Sequence, residues 1–496
     1  MGGRSAGVDG SVLHSCQART RHPHREGESG VSTIIRGGTV VGPYGSAVTD
    51  LRIDGEQITA LGAITETPGD RLIDAGGCLV LPGGIDTHTH LDLATQGTTT
   101  VDDFNTGTRA AVLGGTTLVM DFATAQKGET LAQGLANWQA KASGKSWCDY
   151  AFHMAMLEWP AGRADEMAAI ARQGVTSFKM YMAYRPAMMV EDDEIFQALQ
   201  ATRSFGGTIG FHAENGRLID ELTRERVASG QTHAYYHQHT HPVEVEREAI
   251  SRLAAISELA GNVPCYVVHL SSRDGLTEVL RANRRGVPLR AETCPQYLLL
   301  DASRYGMANG DDLDEVSGYV ISPPLREVAD QDVLWQAVSD GSVQFIGTDH
   351  CAFNVHGQKD AGGDDFRSIP NGAPGIQLRM ELLYTYGVEP GRISLERYVE
   401  LNATNAARYF GVHPRKGILA PGSDADVVIY DPRGTRTVHQ TDLDENVDYT
   451  PYEGWRISGR VRDVFVRGSA AVLDGVLVGD QSGQFIACGP SDGTIR

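Results

Sequence analysis

Short apolar runs alternate with helical stretches through the middle of this chain, and that alternation restricts its fold more than any other feature. Eight strand candidates can be marked: "CLVLPGGIDTH", "TTLVMDFA", "YAFHMAML", "SFKMYMA", "TIGFHAE", "CYVVHLSS", "LRAETCPQYL" and "QFIGTDHCAF". Helices such as 164–174 ("ADEMAAIARQG") and 242–261 ("PVEVEREAISRLAAISELAG") separate most of them. The second opens on Pro242, suited to a first helical turn, and closes on Gly261. Strand, helix and returning parallel strand make one βαβ unit, and eight strands over about 330 residues point to a closed (β/α)8 TIM barrel. The barrel is expected over residues 81–416.

The two ends read differently. Residues 32–80 and 417–480 are β-rich and broken by turns, as in "TDLRIDGEQITALG" and "RVRDVFVRGSAAVLDGVLV". Such pieces at opposite ends of one chain predict a single small β-sandwich built from both, beside the α/β barrel. Residues 1–31 are rich in Arg, Gly and Ser and lack the apolar core of a secretory signal. They are expected to be a disordered extension, with the natural start near Val31. Residues 481–496 form a C-terminal tail whose role the sequence leaves open.

A chain of 496 residues has room for this barrel and its smaller companion. Its net charge of −20, from 43 basic and 63 acidic residues, argues against a nucleic-acid or anionic-membrane partner. No apolar run approaches the roughly 18–20 residues of a membrane span. Seven scattered cysteines without a C-x-x-C pair suit a reduced, cytoplasmic chain with no disulfide framework.

In such a barrel the chemistry sits at the C-terminal ends of the strands. His88 and His90 end the first strand candidate, two residues apart and so on one face of an extended chain. His212 ends the fifth, His269 the sixth and Asp349 the eighth. Lys179 lies in the fourth, between Phe178 and Met180, where a buried ammonium costs several kcal/mol unless paired or neutralised.

Each residue has a bland reading taken singly. His212 or His269 could be a hydrogen-bonded core histidine, Asp349 a helix cap, and His153 a structural residue. The cluster His233, His237, His239 and His241 reads as a polar surface loop before a helix. Jointly, four histidines and an aspartate at the same end of four strands predict a metal site. One metal takes three or four protein ligands, whereas five ligands and a lysine suit two metals about 3.5–4 Å apart with a bridging anion. Desolvation lowers the pKa of a buried lysine, and the neutral amine can add CO2. The resulting carbamate is an anionic, carboxylate-like bridge, which accounts for the lysine.

Longer motifs then identify a resemblance. "LPGGIDTHTHLDL" (81–93), "DDFNTGTRAAVLGGTT" (102–117), "SFKMYMAY" (177–184), "FHAENG" (211–216), "VVHLSS" (267–272) and "AETCPQYL" (291–298) are similar to the dihydropyrimidinase/D-hydantoinase family of cyclic amidohydrolases. So are "SPPLR" (322–326), "GTDHCAFNVHGQK" (347–359), "IPNGAPG" (369–375) and "NVDYTPYEGW" (446–455). The resemblance runs from about residue 33 to 480.

It implies a binuclear zinc site, with manganese or cobalt as substitutes. His88, His90 and Asp349 would hold one ion, His212 and His269 the other, and carboxylated Lys179 (N6-carboxylysine) would bridge them. Tyr184 would contact the substrate carbonyl, and Ser322 and Asn371 would read the ring's ureide edge. The implied reaction is hydrolysis of 5,6-dihydropyrimidines or 5-substituted hydantoins to N-carbamoyl amino acids. A metal-activated hydroxide attacks the ring carbonyl, and Asp349 carries the proton to the leaving nitrogen. A homotetramer is the implied assembly, with a dimer as the alternative.

Within the wider group, dihydroorotases and many allantoinases place an arginine or other polar anchor shortly after the His-x-His. "HTHLDLATQG" offers none, which favours neutral cyclic ureides. Leu93, Tyr181 and Met188 are the apolar loop residues expected against a ring substituent, or else they only pack the loops. Many relatives carry an aromatic or Met-Pro-Phe-like run where this chain has "LATQGTTT", so the substituent preference stays open. An allantoinase-like or dipeptidase-like activity is the main alternative. A scaffold akin to the collapsin response mediator proteins is disfavoured, because no candidate ligand is missing.

Overall fold

The computed structural model describes residues 32–307, 316–363, 365–493 and 495. The expectation for residues 1–31 lies outside them. Eight parallel strands follow one another around a single sheet in chain order. They are β1 (Gly84–Thr89), β2 (Thr116–Ala125), β3 (Asp149–Met156), β4 (Ser177–Tyr181), β5 (Thr208–His212), β6 (Cys265–Val267), β7 (Leu289–Thr293) and β8 (Phe345–Ile346). The sheet closes on itself through a bridge between Thr89 and His350. At the same seam the His90 N–H donates to the His350 carbonyl at 2.9 Å. This is the TIM barrel that the alternation predicted.

The strands' two-residue period divides their side chains. On β4, Phe178 and Met180 pack in the core shared with the surrounding helices. On the alternate face, Ser177 meets His153 of β3 at 2.7 Å inside the barrel, and Lys179 follows two residues on, nearer the mouth. His153 completes its bonding at the Thr87 carbonyl, 3.1 Å away, in keeping with its structural reading. The floor of the barrel is apolar and aromatic. Tyr266, Phe345 and Phe410 meet there with ring centroids 5.5–5.8 Å apart.

The C-terminal tail seals that floor. Its backbone bonds with Tyr150 at the start of β3, then reaches Gly174 below β4 and Gly206 below β5. Ile486, Cys488 and Ile495 are buried in the same cluster as Phe345 and Phe410. The tail is therefore part of the barrel's packing, a role its sequence did not disclose.

Two strand candidates break where local chemistry dictates. "CLVLPGGIDTH" divides at Gly83, so that Leu79–Pro82 leaves the barrel and pairs with Val427–Tyr430 in the outer sheet. A Cβ on Gly83 would lie 2.0 Å from Thr117 Oγ1, so the turn needs glycine. "LRAETCPQYL" becomes β7 and then a short helix from Pro295, because proline suits a first helical turn. The long helix runs Val243–Leu259, with Pro242 at its N-cap and Gly261 left-handed at φ +98°.

Both chain ends build the outer unit, as expected. Among the described residues its nine strands form one sheet, in which Leu79–Pro82 joins the N-terminal strands to the C-terminal ones. Ile35, Leu51 and Ile53 from one end share a core with Val427, Ile429 and Phe465 from the other. No helix of the described residues is long and apolar enough to cross a membrane. The six described cysteines are buried and unpaired.

A buried ionic knot locks the two units together. Lys416 Nζ lies 2.6 Å from both Asp149, at the foot of β3, and Asp426, beside the outer sheet. Arg467 also pairs with Asp149, and its backbone N–H donates to Asp426. Removing one partner of such a cluster leaves buried charge uncompensated. Lys416→Met is accordingly expected to destabilise the fold by about 3–5 kcal/mol, seen as a lowered thermal unfolding midpoint.

Candidate metal centre and active site

The barrel mouth gathers every residue that the sequence pattern singled out. His88 and His90 come from the end of β1, Lys179 from β4 and His212 from the end of β5. His269 follows β6 by two residues and Asp349 follows β8 by three. Asp349 caps no helix, since the next helical segment begins at Val355. His269 (φ +40°), Asp349 (φ +52°) and Tyr184 (φ +67°) all adopt the left-handed backbone. Each costs about 1–3 kcal/mol and persists only where the surroundings hold it. Gly347 clears the space for His88 and Glu292, because a Cβ there would sit 2.7 Å from the His88 Cβ and 3.0 Å from the Glu292 carboxylate.

These side chains fall into two sets. Asp349 Oδ1 is 3.1 Å from His88 Nε2 and 3.2 Å from His90 Nε2. His212 Nδ1 is 3.0 Å from His269 Nε2. His88, His269 and Asp349 offer ligand atoms within 4.8 Å of one another, a spacing that one ion could span. Lys179 Nζ is buried beside them, 4.6 Å from the Phe122 ring centre and 5.3 Å from that of Tyr181.

The electrostatics suit cations. Burial lowers His90 to about 4 and Lys179 to about 8, the latter partly offset by Asp349 and Glu292. His269 is pushed well down by burial and then by His212. Burial alone would raise Asp349, yet the charge of His88 and the bonds from His88 and His90 hold it well below the carboxylate range. Among the described residues none hydrogen-bonds Lys179 Nζ, His90 Nδ1 or His269 Nδ1. Imidazoles, one carboxylate and an orphaned amine form the donor set a divalent ion accepts, so the residues present fit a metal.

A cleft of about 640 Å³ opens above this cluster. Tyr184, Ser322 and Asn371 line it, as do Leu93, Tyr181 and Met188. Tyr181 is the last residue of β4, not a loop residue as expected. Asn371 Nδ2 donates to Ser322 Oγ at 3.1 Å. The "LATQGTTT" loop forms a small hairpin, Ala94–Thr95 with Thr98–Thr99, and places Thr95 and Gln96 in the cleft wall.

The histidine-rich loop departs from its reading as surface. His237 and His241 are buried, with His237 Nε2 2.8 Å from the Ile321 carbonyl. His233 and His239 are half-buried. The segment is not a plain loop but two short helical turns, Ala234–Tyr236 and His237–Thr240, too short to show a period, so their burial is set by the elements packed over them. Two carboxylates escaped notice for a related reason. Glu292 on β7 lies 2.6 Å from His88 Nδ1, and Glu214 lies 2.9 Å from His212 Nε2. Each orients an imidazole so that its other nitrogen faces the cluster. An acid inside an apolar strand, as in "LRAETC", carries the same signal as Lys179 does.

Known proteins resemble this chain along most of its length. Residues 79–471 match the amidohydrolase family. D-hydantoinase of Geobacillus stearothermophilus is 41% identical over 458 residues, 92% of this chain and 96% of that protein. The crystal structure of dihydropyrimidinase from Brevibacillus agri NCHU1002 has a TM-score of 0.90 at 41% identity, covering 93% of this chain and 99% of its own. L-hydantoinase (dihydropyrimidinase) from Arthrobacter aurescens gives 0.83 at 28% identity, covering 92% and 99%. The chain belongs to the amidohydrolase family, in its dihydropyrimidinase and hydantoinase branch of cyclic-amide hydrolases.

Proposed function

We propose that this enzyme hydrolyses the ring amide of cyclic ureides, 5,6-dihydropyrimidines and 5-substituted hydantoins, to N-carbamoyl amino acids at a binuclear zinc centre. His88, His90 and Asp349 would hold one ion, and His212 and His269 the other. The observation that carries the reading is the buried Nζ of Lys179, which no described residue hydrogen-bonds, in the cleft that these ligand candidates line. Lowered to about 8, this amine is neutral often enough to attack CO2. An N–C bond forms, a C=O π pair moves to oxygen, and the displaced N–H proton leaves to solvent. The carbamate would supply the bridging anion. Zinc suits the mixed nitrogen and oxygen donors, as would manganese or cobalt.

When bound, the ions supply a hydroxide at neutral pH and polarise the substrate carbonyl. Asp349, ionised and turned to His88 and His90, would take the nucleophile's proton and deliver it to the departing ring nitrogen. Tyr184 keeps its phenolic proton, since burial and the charges of Glu214 and Asp349 raise it well above its ordinary value. Its O–H would donate to the carbonyl oxygen as charge develops there. Ser322 and Asn371 would bind the ureide edge, a contact that discriminates against rings lacking those polar groups.

The cleft lining holds no arginine among the described residues, which favours a neutral ring over dihydroorotate. Leu93, Tyr181 and Met188 would face its substituent. We assign the enzyme to the cytoplasm and to a homotetramer, with a dimer as the alternative; sedimentation of the purified protein tests the assembly.

Wild-type enzyme is expected to open dihydrouracil or hydantoin while leaving allantoin and dihydroorotate intact; the reverse pattern in a substrate panel would overturn the reading. Lys179→Ala is expected to abolish turnover and most metal binding, with partial rescue by short-chain carboxylic acids. Wild-type-like turnover in that variant would exclude the bridge. Glu292→Gln is expected to weaken metal retention about tenfold to hundredfold, measured by metal content after chelator dialysis.

A further inference from the structure

Lys359 is a second wholly buried lysine, set apart from the metal cluster. No carboxylate of the described residues lies within ion-pair distance of it, and burial pushes it down to about 7. Its Nζ instead faces three backbone carbonyls: Ser317 at 3.1 Å, Val320 at 3.2 Å and Pro370 at 2.9 Å. Three acceptors call for three N–H donors, which only the ammonium form has, so these carbonyls favour the charged form that burial opposes. Packing alone gives no reason for that charge, since methionine would fill similar volume with less desolvation cost.

The three carbonyls belong to the two loops that end in the proposed ureide-binding residues. Ser317 and Val320 lead into Ser322, and Pro370 immediately precedes Asn371. The loops also touch directly, with the Gly372 N–H donating to the Val320 carbonyl at 3.1 Å. Tyr449 adds a further tie, its O–H donating to the Gly318 carbonyl at 3.0 Å and lying 3.5 Å from that of Gly372. Lys359 reaches this junction from the segment Val355–Lys359. The Asp448 carboxylate pins that segment by accepting from the Val355 and His356 N–H groups at 2.7 and 2.9 Å.

We infer that Lys359 is a positioning residue for ureide recognition: its ammonium ties the two loops together and thereby sets the spacing of Ser322 and Asn371 before substrate arrives. This rests on the assignment of those two residues to substrate binding. Neither Ser322 nor Asn371 sits on a barrel strand, so unlike His88 or His212 they lack a sheet to hold them. Without the tie, binding itself must order the loops, and the cost appears in KM. The metal cluster hangs from the strands and is left unaffected.

The test uses full-length, metal-loaded wild type, Lys359→Met, Tyr449→Phe and the double variant, with kinetics on dihydrouracil and hydantoin, metal content and thermal midpoints. Lys359→Met is expected to raise KM about tenfold to hundredfold, with kcat within about threefold and metal content unchanged. Tyr449→Phe removes a single oxygen and is expected to raise KM about threefold to tenfold. The double variant should show non-additive effects, because both ties act on the same loops. An unchanged KM in folded Lys359→Met, or a loss confined to kcat or to metal content, overturns the inference. Should Lys359→Met fail to fold, an unchanged KM in Tyr449→Phe overturns it and a raised one supports it. Absence of ring opening by the wild type would instead overturn the substrate reading beneath it.

Discussion

An amine buried without a counter-ion at the mouth of a closed barrel is the constraint around which this site is arranged. Lys179 emerges from β4 into space walled by Phe122 and Tyr181, and no described residue bonds its nitrogen. Such a group is tolerated only if it loses its charge or gains a partner. Around it, His90 and His269 are held neutral, and Asp349 is the carboxylate that faces them. The surroundings therefore offer lone pairs, and the only one of its members able to become an anion by capturing carbon dioxide is the lysine.

Rigidity comes from two directions. Below, aromatic rings and the C-terminal tail fill the floor of the barrel. Beside the barrel, Lys416, Asp149, Asp426 and Arg467 lock it to the outer sheet. Against that frame, Glu292 and Glu214 set the rotation of His88 and His212, and the left-handed backbones of His269, Asp349 and Tyr184 aim their side chains inward. Strand-borne residues inherit their spacing from the sheet, whereas Ser322 and Asn371 depend on side-chain ties between loops.

How much could be read in advance follows from periodicity. Barrel strands alternate with a period of two, so His88, His90, Lys179 and His212 announced both their face and their height in the fold. His237 and His241 lie in and just after a one-turn helix too short to show a period, and nothing local distinguished an exposed segment from one covered by Ile321 and Phe366. "CLVLPGGIDTH" looked continuous because both halves are apolar, although the Gly83 turn sends them to different sheets. Glu292 and Glu214 were overlooked because an acid's importance here lies in which imidazole it touches, not in its neighbours along the chain.

The sequence by itself determined the alternation that closes the barrel, the pairing of the two β-rich ends, and the set of metal-capable residues at the strand tips. Those properties are local, written in side-chain period and residue type. Tertiary structure alone decided the burial of the histidine-rich segment, the tail's place under the floor and the knot at Lys416. These depend on contacts between residues tens to hundreds of positions apart, such as Lys416 with Asp149 or Lys359 with Ser317. Chain order does not encode such distances; only the closed sheet brings them within hydrogen-bonding reach.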